Sequence, residues 1–111
     1  MRTVELLEQA LTDAGIPVKY YEYVGKAEEY IVYNEEAEEP AYCADDEPQS
    51  EVIYWQVHIF APKKGNFRKR KETVKEALVK RGFVIETIKT LFEKETTTIH
   101  VVILCHRESE G

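Results

Sequence analysis

EVIYWQVHIFAPKK, residues 51–64, has the alternating pattern of a long β-strand, whose successive side chains point to opposite faces. One face has the apolar side chains of a hydrophobic core: Ile53, Trp55, Val57 and Ile59. The other face mixes aromatic, aliphatic and polar side chains: Val52, Tyr54, Gln56, His58 and Phe60. The stretch therefore predicts a central strand with one buried face and a second, aromatic face that needs a cover.

The elements around this strand follow from hydrophobic periodicity and from the positions of glycine and proline. Helices are predicted over 4–14 and 67–81, and Gly15 and Gly82 are placed to end them. Four further strands are predicted: 18–24, 30–33, 83–92 and 96–106. The order α-β-β-β-α-β-β predicts an α+β, two-layer fold, with a mainly antiparallel five-stranded sheet and two helices on one face. No element is then left in the chain to cover the aromatic face of the central strand.

Between the second and third strands lies NEEAEEPAYCADDEPQS, residues 34–50, which has two prolines and no hydrophobic period. Its composition predicts an unusually long, exposed and mobile acidic loop within a single domain that spans 1–111. Six acidic residues of the loop are candidates for contact with a partner: Glu35, Glu36, Glu38, Glu39, Asp45 and Asp46.

Charge is segregated along the chain. The formal net charge is −6, yet residues 28–51 contain no Lys or Arg, whereas residues 63–81 are strongly basic and include Arg68, Lys69, Arg70 and Lys71. Each block is typically a solvated surface, a loop in one case and a helix face in the other. If instead the blocks of two copies meet, the contact is heterologous, and such contacts make rings when the rotation closes.

Several function classes find no support in the sequence. The negative charge argues against general nucleic-acid binding, and no apolar run approaches the roughly 20 residues of a membrane helix. Glu5 and Glu8 interrupt any export signal, and two cysteines without a CxxC spacing favour a reducing compartment. His58, His100 and His106 are expected to be ordinary histidines rather than metal ligands, because 100 and 106 lie about 20 Å apart on one strand. We expect no catalytic residues, no metal and no cofactor.

Four stretches carry a resemblance to a known family: YIVY (30–33), YWQVHIFAPKKG (54–65), RKETVKEALVKRGF (70–83) and IHVVILCHR (99–107). In order and length of elements, residues 3–107 resemble the tail-completion, tail-to-head joining proteins of long-tailed bacteriophages and prophages, which are related in fold to tail terminators. The resemblance implies a homo-oligomeric, hexameric ring that ends the tail tube and faces the head connector. It implies a place in the virion tail, after assembly in the host cytoplasm, with DNA passing through the ring.

These observations lead to one hypothesis about contacts and leave one alternative function open. In the ring, Tyr54, His58 and Phe60 would supply apolar contact, and the acidic loop of one copy would lie near Arg68–Lys71 of the next. The partners would be a second copy, the tail tube protein and the head connector, without a membrane or specific nucleic-acid binding. The alternative is an acidic, nonstructural binding module that mimics nucleic acid and acts on a basic partner. The equally dense basic block counts against a mimic.

Overall fold

The computed structural model of the chain describes residues 2–44 and 47–110, with side chains described for 2–40 and 51–108. Within these residues lie two helices, α1 (Thr3–Thr12) and α2 (Phe67–Lys80). The strands are β1 (Val18–Tyr20), β2 (Tyr30–Ala44), β3 (Glu47–Pro62), β4 (Val84–Glu93) and β5 (Thr98–Glu110). The order of elements is the one that the sequence predicts.

The five strands form one sheet in the order β1-β2-β3-β5-β4, so that β3 lies at its centre. β3 is antiparallel to both β2 and β5, and β5 is antiparallel to β4. β1 pairs with β2 in parallel, with Val18 opposite Ile31, which makes the sheet mixed at that edge. The α+β class and the mainly antiparallel five-stranded sheet are confirmed. β5 lies between β3 and β4 in the interior of the sheet, which fits the apolar side chains on both of its faces.

Both helices pack on one face of the sheet, and the alternation along β3 decides which side chains they cover. Trp55 is 1% exposed, and Val57 and Ile59 are fully buried. These side chains share a core with residues of the helices and of β5: Leu7, Leu11, Val74, Leu78, Val101, Ile103 and Cys105. Burying a large apolar side chain contributes about 1.5–3 kcal/mol. The predicted core face of the strand is confirmed at Trp55, Val57 and Ile59, whereas Ile53 is only partly buried against the core.

α2 ends in a Schellman motif, for which the sequence supplies the glycine. The amide N–H of Phe83 donates to the carbonyl of Leu78, and that of Gly82 donates to Val79, each at 3.0 Å. Gly82 has φ +87°, a region that side chains with a Cβ disfavour. Phe83 leaves the motif directly into the core, where it is 3% exposed. The motif thus ends the helix at the predicted glycine and returns the chain to the sheet.

The predicted loop over residues 34–50 is wrong. β2 continues through Ala44 and β3 begins at Glu47, so the acidic segment forms the far end of a long hairpin. Asp45 and Asp46, two of the predicted contact residues, lie outside the described residues. The expected mobility of this segment in the isolated protein stays a prediction.

Pairing with the central strand explains why a segment of low strand propensity is extended. Acidic residues and proline disfavour strands, but β3 is held on its other side by β5 as far as Ser50 opposite Glu110. The extended β3 offers backbone partners to β2 along the same length. Within the described residues, β1 pairs with β2 only as far as Tyr33, so β2 is an edge strand beyond that point. Proline and charge are tolerated at an edge, and charge there also discourages unwanted strand pairing.

Candidate interaction surfaces

A row of side chains crosses four strands on the face of the sheet that the helices leave open. Tyr30 lies opposite Phe60, Phe60 opposite His100, and His100 opposite Leu91. The ring centroids of Tyr30 and Phe60 are 4.7 Å apart, and those of Phe60 and His100 are 4.2 Å apart. Tyr23 stacks on Tyr30 with a centroid distance of 4.5 Å. We call Tyr23, Tyr30, Phe60 and His100 the aromatic row, and the half-exposed Leu91 extends it.

The structure places all three predicted contact residues of the central strand on this open face, where each is half-buried. His58 lies beside the aromatic row, its ring centroid 6.4 Å from that of Phe60. Tyr54 is six residues from Phe60, about 20 Å along the strand, and its ring lies 5.1 Å from that of His106. Tyr54 therefore belongs to a second cluster on the same face. Aromatic side chains follow the open face along most of the length of β3.

His58 and His100 form a pair that the sequence analysis missed. Nδ1 of His58 and Nε2 of His100 are 2.8 Å apart, so one ring donates and the other accepts. Burial lowers the pKa of His58, and the neighbouring His100 lowers it further. Burial also lowers the pKa of His100, against an opposing effect of Glu93, whose carboxylate is 3.9 Å from Nδ1 of His100. The pair is therefore a neutral, hydrogen-bonded element of the open face at neutral pH.

A β-bulge in β2 changes which acidic side chains face which side of the sheet. Glu35 lies opposite Trp55, whereas the next paired residue, Ala37, lies opposite Tyr54. Glu36 is the extra residue between them, and a bulge of this kind shifts the alternation of all later residues in the strand. The acidic segment therefore does not present one uniform surface.

The four predicted contact residues in the described part of this segment divide into two pairs. Glu35 and Glu38 face the helix side of the sheet, where they line a cleft beside α1. Glu36 and Glu39 face the open side, where they line a smaller groove next to Tyr54. The hairpin end thus carries carboxylates on both faces, which the expectation of a loop could not reveal.

The cleft on the helix side arises because the hairpin extends beyond the first turn of α1. It has a volume of about 930 Å³ and is lined by five carboxylates and one cation: Glu5, Glu8, Glu35, Glu38, Glu51 and Arg2. Tyr33 donates its hydroxyl proton to Glu8, and Tyr20 donates to Glu35. The bond to Glu35 raises the pKa of Tyr20 to about 12. We call this region the acidic cleft.

The four basic residues at the start of α2 do not share one role. Arg68 and Lys69 are exposed, and the Arg68 guanidinium lies over the ring of Phe67 at 4.9 Å. The guanidinium of Arg70 instead bonds within the chain, with Nε 3.0 Å from Glu29 and Nη1 2.7 Å from the carbonyl oxygen of Ala14. Arg70 therefore ties α2 to the segment after α1. Sequence reasoning had no signal for this role, because both partners are far away along the chain.

The acidic and basic regions lie at opposite ends of an elongated molecule, whose longest dimension is 53 Å. β3 connects them, because its first half belongs to the acidic hairpin and the basic segment begins directly after it. The twelve residues from Glu51 to Lys63 correspond to about 40 Å of strand. The charge separation in the sequence is therefore also a separation in space.

The described part of the chain has neither a cluster of potential metal ligands nor a helix suited to a membrane. No group of three or more His, Cys, Asp or Glu side chains there could hold a metal ion. Neither α1 nor α2 is long and apolar enough to cross a membrane.

Comparison with known proteins identifies a structure with a similar fold but does not assign the chain to a family. No protein-family model and no curated protein matches the sequence. Among solved structures, the chain is similar to a chain in the virion of a native gene transfer agent particle, with a TM-score of 0.64 and 13% identity. The match covers 95% of this chain and 92% of the other, so the two share their fold over almost their whole lengths.

Proposed function

We propose that the protein is a structural component of a phage-like particle, a tail protein that assembles into a ring, caps the tail tube and joins it to the head connector. The observation that carries the proposal is the fold shared with a virion chain, which leaves almost no residue of either chain outside the match. The resemblance of residues 3–107 to tail-completion proteins supports the same role.

The open face of the sheet supports an assembly that depends on apolar contact. The aromatic row and Tyr54 would lie against a neighbouring copy or against a tail protein, since no helix of the described chain covers them. Burial of apolar surface stabilises by about 25 cal/mol per Å² before the costs of association. A typical stable interface buries about 800 Å² on each partner. This face is the contact that would hold the ring together.

The opposite charges at the two ends of the molecule would set the direction of assembly. A contact between unlike ends is heterologous, and repeated around an axis it closes a ring. Exposed ion pairs contribute only about 0–1 kcal/mol each, so charge would select the register rather than supply most of the affinity. The proposed partners are further copies of the chain, the tail tube protein and the head connector. The role requires no catalytic residue, metal or cofactor.

The test is the mass of the protein in solution across concentration and in the presence of tail tubes. We expect the wild-type protein to form an oligomer of defined size or to bind the ends of tail tubes. The variant Tyr54→Ser/Phe60→Ser is expected to remain monomeric and folded. Val79→Ser, which removes an exposed apolar side chain of α2, serves as the matched control and should assemble normally. A wild-type protein that stays monomeric and ignores tail tubes would overturn the proposal.

The carboxylates on both faces of the hairpin favour one second candidate, an acidic module that occupies the nucleic-acid site of a basic protein. A mimic of this kind needs one sign of charge over its contact surface, and only the hairpin end meets that condition. A stable 1:1 complex with a DNA-binding protein, formed by a chain that never oligomerises, would favour this candidate over the ring.

A further inference from the structure

Two buried polar atoms in the wall of the acidic cleft have no hydrogen-bond partner within the described chain: Nε1 of Trp55 and Oγ1 of Thr3. Trp55 is 1% exposed and Thr3 is 3% exposed. An indole N–H can only donate, and a buried donor without an acceptor is costly. The indole N–H of Trp55 therefore lacks an acceptor in the described chain, and the Thr3 hydroxyl lacks a partner of either kind.

The cleft contains more carboxylates than the acidic residues that are usual at the N-terminus of a helix. Glu5 and Glu8 are in the first turns of α1, where acidic residues are common because they complement the helix dipole. Glu35 and Glu38 come from β2, however, and the bulge at Glu36 is what turns Glu38 toward the cleft. Arg2 is the one cation in the lining of the cleft as the described residues define it. The cleft therefore combines concentrated negative charge with unpartnered donors.

These two features together narrow the chemistry of an occupant. Positive charge would complement the carboxylates of Glu5 and Glu38, and a lone-pair acceptor would satisfy the indole N–H of Trp55. A metal ion or a polyamine supplies the cation without the acceptor, and nucleic acid is repelled. A basic peptide segment supplies both, because its Lys or Arg side chains can bind carboxylates while its backbone carbonyls accept hydrogen bonds.

We infer that the acidic cleft binds the basic segment 63–69 of a second copy of this chain. The inference rests on the proposed ring, and it specifies the contact that joins one copy to the next. The segment carries four cations: Lys63, Lys64, Arg68 and Lys69. It stops before Arg70, whose guanidinium is bound within its own chain. It does not reach the cleft of its own chain, since even Trp55, the lining residue of β3 nearest to Lys63 along the strand, is eight residues away, about 26 Å of strand. A site and its complement at opposite ends of one molecule can be satisfied only between copies.

The chain contains a single tryptophan, and that tryptophan lines the cleft, so its fluorescence reports occupancy without a label. The experiment titrates full-length protein, diluted until sedimentation shows monomer, with a synthetic peptide of residues 62–69, which leaves out Arg70. A saturable change in fluorescence is expected, and added salt should weaken binding. A peptide of the same length with every Lys and Arg replaced by Gln should produce no change. Absence of a saturable change with the basic peptide would overturn the inference.

Two double variants on opposite sides of the sheet at its acidic end separate a defined site from general attraction. Glu5→Gln/Glu38→Gln removes two carboxylates of the cleft, and we expect the affinity for the peptide to fall roughly five- to tenfold, as exposed pairs allow. Glu36→Gln/Glu39→Gln removes the same charge from the open face and should change the affinity less than twofold. Equal losses in the two variants would mean that the acidic end attracts cations without a defined site, and the inference would be wrong.

The same variants distinguish a failure of the cleft from a failure of the ring. If the peptide binds as expected but the wild-type protein never oligomerises, the cleft is a basic-peptide site and the proposed ring is wrong. If the ring forms and Glu5→Gln/Glu38→Gln assembles as well as wild type, the ring stands and the inference about the cleft is wrong.

Discussion

The two faces of β3 have side chains of similar size and different environments. Trp55, Val57 and Ile59 are covered by the helices of their own chain, whereas Tyr54 and Phe60 on the other face are only half-buried. The backbone pairing is the same for both faces, because each residue of the strand lies between β2 and β5. The difference teaches that one face of the strand stabilises the monomer, while the other is available for contact beyond it.

The largest expected effect tests this difference directly. Trp55→Ala should lower the free energy of unfolding by about 3–5 kcal/mol, because a fully buried large side chain leaves a cavity. Tyr54→Ala, on the adjacent residue and the opposite face, should cost less than about 1.5 kcal/mol, since it mainly loses contact with the ring of His106. Denaturant unfolding of the monomer measures both. Similar losses in the two variants would mean that the open face is as important for folding as the covered one.

Most of the fold could be predicted because its signals are local. Alternation along 51–61 gave the two faces of the central strand, helical spacing gave α1 and α2, and Gly82 marked the end of α2. The end of the hairpin could not be predicted in the same way. Its acidic residues and prolines favour a loop when read alone, and only pairing with β3 makes the segment extended.

For the candidate surfaces, the sequence predicts on which face of the sheet a side chain lies, but not which other side chains it contacts. The alternation places His58 and Phe60 on the open face, whereas their contacts with His100 and Tyr30 depend on the register between strands, which the sequence does not give. The Glu36 bulge likewise decides which carboxylates enter the acidic cleft. Registers, bulges and ion pairs between distant elements are products of tertiary structure.

The start of α2 also has one side chain that bonds within its own chain, Arg70, and one that is exposed to solvent, Arg68. Arg70→Met should lower the free energy of unfolding by about 1–2 kcal/mol, because it removes partly buried, charge-assisted bonds to Glu29 and Ala14. Arg68→Met, two residues away and exposed, should have an effect near zero. Thermal or denaturant unfolding of the two variants side by side gives the answer. If Arg70→Met leaves the free energy of unfolding unchanged, the bonds of Arg70 within the chain are unimportant for stability, and Arg70 is available for contact with a partner.

The exposed basic residues can then be tested without disturbing the fold, provided that Arg70 is left unchanged. Arg68→Glu/Lys69→Glu should leave the monomer folded and weaken its association up to about tenfold at low salt, whereas Lys71 is half-buried and is left unchanged. The difference in association between the variant and the wild type should become smaller as salt is added, because salt screens the attraction between charges in the wild type as well. Sedimentation at two ionic strengths measures the effect. Unchanged assembly at low salt would show that this side of α2 is simply a solvated helix surface.

The smallest expected effect concerns the His58–His100 pair and the pH dependence of stability. An unperturbed histidine has a pKa of about 6.5, and burial lowers the pKa of both rings in the folded protein, only partly opposed by Glu93 at His100. Below about pH 6.5 the unfolded chain therefore binds protons that the folded pair does not. The free energy of unfolding should fall as the pH decreases from 6.5 toward the lowered pKa values. Unfolding measured from pH 7.5 to 5 should show a shallower decline for His58→Gln/His100→Gln than for wild type. His106→Gln controls for loss of a histidine elsewhere on the same face. If that control flattens the profile as much as the double variant does, the pair is not the origin of the effect.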